Sequence, residues 1–229
     1  MCGRFANNLT IEAMTMRFSA TTAVAEDAWA PTYNAAPTHE LPVVLQDQRG
    51  RRLGLMRWGW PQSWNARGLH VNAIGETAAD KPAFAAAFAS RRCLVPATAF
   101  YEWQAHGRQK LPYAFRRTDG GGFAIAGLWQ GVTLGDRRVG AFILLTTVAN
   151  AVVAPVHHRM AAMLTDAGVG RWLDPTAAPE EMRALLAPYD AAGMTAHRVS
   201  SEVNAVAHNG PHLLAPVPEA DRALPPGPP

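Results

Sequence analysis

The chain has 229 residues, of which 48% are hydrophobic and 17% are charged, and its formal net charge is +3. This balance excludes an intrinsically disordered chain and supplies enough apolar side chains for a sizeable core. Two cysteines are too few for a disulfide scaffold and no apolar run reaches the ~18 residues of a membrane span, so we expect a soluble cytoplasmic protein.

The predicted elements, taken in chain order, are strands with short helices around them. A helix is predicted over TIEAMTMRF (10–18) and another over PAFAAAFASR (82–91), which begins with Pro and continues in Ala and Phe. Between 94 and 165, β-branched and aromatic residues predict strands in ATAFYEWQ (97–104), LPYAFRR (111–117), GFAIAGLWQG (122–131) and VGAFILLTTVA (139–149). A third helix is predicted over PEEMRALLAP (179–188), which has acids in its first turn and Pro at its end.

The glycines of TDGGGF (118–123) predict a hairpin turn and not a phosphate loop, because a strand follows them and not a helix. Strands predominate and helices flank them, so the predicted fold class is α+β with a mainly antiparallel sheet. No linker interrupts the interior, which predicts one domain over 1–216. The Pro-rich remainder, 217–229, predicts a flexible tail.

The chain begins MCGRFA, which puts a cysteine directly after the initiator methionine. Cells usually remove Met1 before a small residue, and Cys2 would then carry a free α-amine beside its thiol. Such a 1,2-aminothiol condenses with an aldehyde to an imine and then closes to a thiazolidine ring. Because an α-amine has a pKa of ~7.7–8.0, a useful fraction is neutral and nucleophilic at cytosolic pH. The alternative is that Met1 stays and Cys2 is a small buried hydrophobe.

Three further side chains are candidates for acid–base chemistry. Glu102 lies among aromatic residues in a predicted strand, which would raise its pKa, although a solvent-facing glutamate fits the same pattern. His157 and His158 follow an apolar strand, where one of them is a candidate general acid or base and the alternative is a pair of surface histidines. Adjacent histidines point apart and no acid or cysteine stands at ligand spacing, so no metal site is predicted.

The segment RWGWPQSW carries Trp58, Trp60 and Trp64, and exposed aromatic side chains beside arginine stack unpaired bases. The alternative is that some or all of them pack against the sheet. Lysine occurs only at positions 81 and 110, so the cations are nearly all Arg. Arginine favours bidentate phosphate contacts, but a genome-wide preference for arginine gives the same composition.

Eight segments carry a family resemblance: MCGRFA, YNAAPT, RWGW, NAIGETAA, KPAF, RRCLVPATAFYEW, TTVANAVVAPVHHRM and VSSEVNAV. In this order they resemble the SRAP family, abasic-site processing proteins first named SOS response-associated peptidases. The resemblance spans residues 2 to about 216. It implies an α+β fold whose mainly antiparallel sheet is curled into a pseudo-barrel. Read without the resemblance, NAIGETAA is only a loop with a helix cap.

The resemblance also implies a function, the covalent trapping of abasic sites in single-stranded DNA. Cys2 would capture the aldehyde of the opened sugar as a thiazolidine DNA–protein crosslink. By match to the family motifs, Asn72 would orient Cys2 and Glu102 would shuttle protons during ring opening and imine formation. His157 would act as acid or base at the sugar oxygen and in reversal of the crosslink. No metal or cofactor is expected.

Arg4 and Arg159 are implied to contact backbone phosphates, which together with the tryptophans makes abasic single-stranded DNA the expected partner. Two positions depart from the family pattern. Ile74 stands where the family usually has Arg, which removes a phosphate contact that the resemblance implies. His158 stands where the family usually has Asp, which puts the proton-transfer step in question. A monomer that associates with the nucleoid when bound to DNA is expected.

Two other functions remain open on the sequence alone. Cys2, Glu102 and His157 are also the residue types of a thiol peptidase or self-processing nucleophile. A peptidase would release peptide products, whereas a trap stays attached to an aldehyde-bearing strand. The second alternative is a non-catalytic module that binds single-stranded DNA through Trp and Arg, and it gives no reason for a cysteine at position 2.

Overall fold

A computed structural model describes residues 2–62 and 65–218, and it describes 65–67 through their backbone alone. The strands are β1 (Arg4–Asn7), β2 (Thr21–Thr22), β3 (Thr32–Ala35), β4 (Glu40–Asp47), β5 (Gly50–Trp58), β6 (Trp60–Gln62), β7 (Asn65–His70), β8 (Asn72–Ile74), β9 (Arg92–Ala97), β10 (Ala99–His106), β11 (Gln109–Arg117), β12 (Phe123–Leu134), β13 (Arg137–Val148), β14 (Arg159–Ala161), β15 (Met163–Leu164) and β16 (Met194–Arg198). The helices are α1 (Ile11–Phe18), α2 (Gly75–Ala78), α3 (Ala85–Ser90), α4 (Asp166–Leu173) and α5 (Pro179–Ala184).

The three predicted helices correspond to α1, α3 and α5. Helix α1 begins where Thr10 accepts a hydrogen bond from the Ala13 amide, as an N-cap threonine does, and α5 has its Pro in the first turn. None of the helices in the described part of the chain has the length and hydropathy of a membrane-spanning segment. The predicted tail lies outside the described residues from 219 onward.

The largest sheet closes on itself. Its strands run in the order β14-β13-β12-β9-β4-β5-β2, and β13 pairs with β5 as well as with β12. Five strands, β13, β12, β9, β4 and β5, therefore form a closed barrel. The pairings are antiparallel except for β13–β5, β13–β8 and β2–β5. The fold is α+β with a mainly antiparallel sheet curled into a pseudo-barrel, as predicted.

A second sheet of five strands, ordered β16-β11-β10-β1-β3, packs against the barrel. Side chains alternate along each strand, so one strand serves two core layers. In β9, Cys93 and Val95 join the layer that also holds Phe5 and Phe100 of the second sheet. Leu94 points the other way, into a layer that contains residues of α1, α3 and α4. The layer between the two sheets is the one that holds Cys2.

The predicted hairpin at 118–123 is wrong. Gly120 has a positive φ of 70° and its amide donates to the Arg117 carbonyl, so a tight turn is present. The strands on either side do not pair, because β11 belongs to the second sheet and β12 to the barrel. The glycine-rich segment carries the chain from one sheet to the other.

Candidate active site

Glu102 faces the layer between the two sheets. It follows Phe100 by two positions in β10, so both side chains are on the same face of the strand, and Phe100 is buried in that layer. Tyr101 points to the opposite face, because side chains alternate along a strand. The Glu102 residue is only 2% exposed. Burial raises the pKa of its carboxyl to about 7, which is the range in which a carboxyl exchanges protons at cytosolic pH.

Cys2 lies in the same layer with no exposed surface. Its Sγ is 3.8 Å from the carbonyl oxygen of Arg4, at the start of β1. Burial raises the pKa of the Cys2 thiol far above its usual value, and the nearby Glu102 carboxylate adds to the effect. The thiol is therefore protonated at neutral pH.

Asn72 holds the backbone of Cys2. It sits on β8 opposite Leu144 of β13 in a parallel pair, and its Nδ2 donates to the Cys2 carbonyl oxygen at 2.8 Å. The Asn72 Oδ1 is buried and has no hydrogen-bond partner among the residues that the structure describes. Because this oxygen is unpaired, it can accept a hydrogen bond from a donor beside Cys2.

His157 is the next-to-last residue of the loop that joins β13 to β14. Its Nδ1 lies 3.0 Å from both the amide and the carbonyl oxygen of Arg159, so either neutral tautomer of the ring has a backbone partner there. Burial is the main cause that lowers the pKa of His157, so the ring is neutral at pH 7. Its Nδ1 is 4.0 Å from Oε1 of Glu102, and its ring stacks on that of His158 at 4.4 Å between centroids.

Glu102 and His157 line one cavity of about 420 Å³, whereas Cys2 and Asn72 are not among its lining residues. It is lined by Arg4, Glu102, Trp103, Lys110, His157 and Asn204. Asn204 organises this wall, because its Oδ1 accepts from the Trp103 indole at 2.7 Å and its carbonyl accepts from Arg4 at 3.1 Å. Arg4 also donates to neutral oxygens of Asn34 and Val203, which fixes its guanidinium at the rim of the cavity.

Arg159 does not line this cavity. Its guanidinium forms a bidentate pair with Glu76 at 2.9 and 2.7 Å and also donates to the Thr146 carbonyl at 2.7 Å. Burial acts to raise the pKa of Glu76, but the hydrogen bond from Arg159 keeps it below its usual value. Glu76 Oε1 also accepts from the Val148 amide, so the pair joins α2, β13 and β14 beside His157. The predicted phosphate contact of Arg159 stays a prediction, and it requires this pair to open.

Glu76→Gln should cost about 1–2 kcal/mol of unfolding free energy, because it leaves a largely buried guanidinium without its carboxylate. The side chains of Arg159 and Glu76 are 12% and 42% exposed. The expected loss of unfolding free energy therefore lies between the values for a buried ion pair and for a surface ion pair. The matched control is Glu181→Gln, whose partner Arg171 is 42% exposed and where we expect a clearly smaller loss, because solvent screens an exposed ion pair. Urea unfolding of both variants measures the difference, and equal losses would contradict a structural role for Glu76.

The base-stacking interpretation of Trp58 and Trp60 is wrong. Both are buried, and they belong to different core layers. Trp58 packs on Phe5 with centroids 5.2 Å apart, and its indole donates to the Val71 carbonyl. Gly59, with a φ of +98°, makes the bend that sends the two indoles to separate layers. Trp64 lies outside the described residues.

Sequence reasoning missed Trp103, Lys110 and Asn204 as parts of the site. Trp103 is half-buried at the cavity wall and directly follows Glu102, so its position in FYEW was a usable signal. Lys110 and Asn204 become neighbours of the site only through the pairing of β10 with β11 and the packing of the turn at Ser201–Asn204. No group of three or more potential metal ligands occurs among the described residues.

Comparison of the sequence with known proteins identifies its family. The SRAP profile, described as SOS response associated peptidase, matches residues 1–206. The chain is 33% identical over 221 residues to abasic site processing protein YoqW of Bacillus subtilis (strain 168), with 93% of this chain and 99% of that protein covered. It is 28% identical over 229 residues to abasic site processing protein HMCES of Xenopus tropicalis, covering 83% and 68%.

A solved structure supports the fold. A protein from Bacteroides thetaiotaomicron superposes with a TM-score of 0.84 at 22% identity, over 94% of this chain and 99% of that one. The family profile covers far more than half of the chain, and the first relative exceeds 30% identity over nearly its whole length. The chain therefore belongs to the SRAP family.

Proposed function

We propose that this protein processes abasic sites in single-stranded DNA by trapping them covalently on Cys2. The observation that carries the proposal is a series of contacts among four residues that are far apart in the sequence. Asn72 donates to the Cys2 carbonyl, Glu102 acts on the Cys2 thiol, and His157 lies 4.0 Å from Glu102 at the cavity that both line. The bacterial and vertebrate relatives are named abasic site processing proteins, which supports abasic sites as the substrate. The chemistry requires removal of Met1, because an acylated nitrogen does not form an imine.

The reaction proceeds in three balanced steps. The closed sugar opens when its C1′ hydroxyl loses a proton and the ring oxygen gains one, which exposes the aldehyde. The Cys2 amine adds to the aldehyde carbon and water leaves, which forms the imine. The S–H bond then adds across the C=N bond, with sulfur to carbon and the proton to nitrogen, and the thiazolidine closes. The sum is an aldehyde and an aminothiol giving a thiazolidine and water.

Two side chains move protons in these steps. Glu102, whose pKa is about 7, accepts a proton in one step and returns it in another. His157 is neutral, and in the tautomer that accepts from the Arg159 amide it carries its proton on Nε2 and donates to the sugar ring oxygen. Asn72 fixes the Cys2 carbonyl and offers its unpaired Oδ1 to the Cys2 amine or thiol.

Arg4 and Lys110 provide the positive charge that a DNA backbone requires at the cavity, and Trp103 provides a flat face for an unpaired base. Ile74, which is 45% exposed, contributes no charge at the family's usual arginine position. The cations that hold the strand are therefore distributed differently here, with Arg4 and Lys110 at the cavity.

The protonation state of the Cys2 thiol favours the covalent trap over the thiol peptidase. A cysteine nucleophile attacks as a thiolate, and reactive cysteines accordingly have lowered pKa values. Here burial and Glu102 raise the pKa of the Cys2 thiol, and His157 is neutral and does not form an ion pair with it. In the trap the amine attacks first and the thiol adds later as a neutral group, so a protonated thiol is no obstacle.

The direct test incubates the protein, with Met1 removed and verified by mass, with a single-stranded oligonucleotide that carries one abasic site. We expect a denaturant-stable complex with a mass equal to protein plus DNA minus one water. An otherwise identical oligonucleotide with a tetrahydrofuran analogue, which has no aldehyde, is the control. Cleaved peptide substrates without a DNA complex would refute the trap and support the peptidase.

A further inference from the structure

A second cavity adjoins the one that holds the proposed site. It has a volume of about 500 Å³ and is lined by residues of β11, β16 and the turn at Ser201–Asn204, together with Val217. Lys110 and Asn204 line both cavities, so the two form one continuous groove. Nothing in the trapping chemistry uses the far part of this groove.

Among the residues that the structure describes, the ionised side chains that line the groove have one sign. Lys110 and Arg198 line the second cavity, and none of its described lining residues is a carboxylate. The single carboxyl among the described residues that line the first cavity is Glu102, which is buried and has a pKa of about 7. Glu202 is near in sequence, but its carboxylate pairs with His212 at 3.1 Å and does not line the groove.

The second cavity also contains neutral hydrogen-bond donors. Ser200 accepts from the Glu202 amide through its Oγ, which leaves its hydroxyl proton available. Ser201 is exposed beside it, at the first position of the turn that carries Asn204. Lys110, Arg198 and these serines thus place cations and hydroxyl donors in one cavity, and such side chains contact phosphate oxygens along a DNA strand.

We propose that the second cavity is a subsite for the nucleotide next to the abasic site, with Lys110 and Arg198 on its backbone phosphate. The inference rests on the proposed function, since the same DNA strand occupies both cavities. Lys110 stands where the cavities meet and so contacts the strand as it leaves the lesion. Arg198 contacts it one step farther out, and Asn204, which accepts hydrogen bonds from Trp103 and Arg4, lines both cavities.

The test measures the binding of a fluorescein-labelled 15-nucleotide oligothymidylate without a lesion, by anisotropy over a series of salt concentrations. Lys110→Glu and Arg198→Glu should each weaken binding by about tenfold, as expected for loss of a charge-assisted contact. Each should also reduce the slope of log K against log salt by about 0.7. The matched controls are Lys81→Glu, the only other lysine, and Arg116→Glu on the exposed side of β11, with losses below about twofold expected from the change of net charge alone.

Strand direction is tested with two short abasic oligonucleotides, one with flanking nucleotides only 5′ of the lesion and one with them only 3′. Arg198→Glu should weaken binding of one of them and act like Arg116→Glu on the other. Arg198 is half-buried, so Arg198→Gln and an unfolding curve separate lost contact from lost fold. Losses no larger than those of the controls would overturn the subsite.

The outcomes also separate this inference from the proposed function. If the wild type binds oligothymidylate and the variants do not, but no crosslink to abasic DNA forms, the groove stands and the trap fails. If crosslinks form and neither variant differs from its control, the trap stands and the subsite fails. Equal competition by polyglutamate would mark a general anion surface and also overturn the subsite.

Discussion

Cys2→Ala should abolish the denaturant-stable crosslink to abasic DNA while it leaves an imine that borohydride traps. The alanine keeps the free amine but has no thiol to close the ring, and an unreduced imine hydrolyses. Cys2→Ser should also fail, because the oxazolidine that it forms is weaker than a thiazolidine. Retention of Met1 should abolish both products, since the nitrogen is then an amide. Denaturing gels with and without sodium borohydride measure all three.

The matched control is Cys93→Ala, which removes the other cysteine of the chain, a buried thiol in the same core layer as Cys2. It should keep the stable crosslink, and an unfolding curve checks that the core tolerates it. A thiol peptidase would lose its activity in Cys2→Ala and leave no trappable imine. A passive DNA-binding module would tolerate every one of these changes. A stable crosslink formed with Met1 still in place would eliminate the thiazolidine mechanism.

Local sequence patterns predict the helices and strands that are specified by the residues of their own segment. Helix α1 has a capping threonine, and the long strands β10, β12 and β13 are rich in β-branched and aromatic residues, so each was found from its own segment. Helix α4 was missed because its segment DAGVGRWL contains two glycines, which weaken the intrinsic preference for helix. Its Trp172 and Leu173 are buried, so tertiary packing stabilises it.

Non-local pairing explains most of what the sequence left open at the site. Without the family resemblance, the sequence around Asn72 indicates only a loop. The segment is nevertheless the strand β8, because it pairs with β13, about 70 residues later in the chain. The face of Glu102 was predictable from strand alternation, but its burial depends on the second sheet packing against the barrel. RWGW gave no local sign that Gly59 would send both indoles into the core. The roles of Asn72 and His157 came from the family resemblance.

Glu102→Gln should lower the rate of crosslink formation by about 10²–10⁴-fold, the usual contribution of a positioned acid–base group. In the wild type the rate should rise with pH in two steps, one near 7 as Glu102 ionises and one near the pKa of the α-amine, ~7.7–8.0. The variant should lose the step near 7 and keep that of the amine. Single-turnover crosslinking between pH 5.5 and 9 measures both profiles. A variant with the wild-type rate would remove Glu102 from the mechanism.

The same substitution should stabilise the fold at high pH, which separates lost chemistry from lost structure. The pKa of Glu102 is raised from 4.5 to about 7 in the folded protein, so between these values the folded state holds a proton that the unfolded state has released. Stability of the wild type therefore falls as pH rises through this window, by up to about 3 kcal/mol, and stays at the lower level above pH 7. Glu102→Gln does not lose stability in this way. Its unfolding free energy should therefore exceed that of the wild type by the full amount at pH 8 and by nothing near pH 4. Glu180→Gln, an exposed glutamate on α5, should unfold like the wild type at both pH values. A Glu102→Gln protein that is slow and also less stable at pH 8 would show that the carboxylate serves the fold and not the proton transfer.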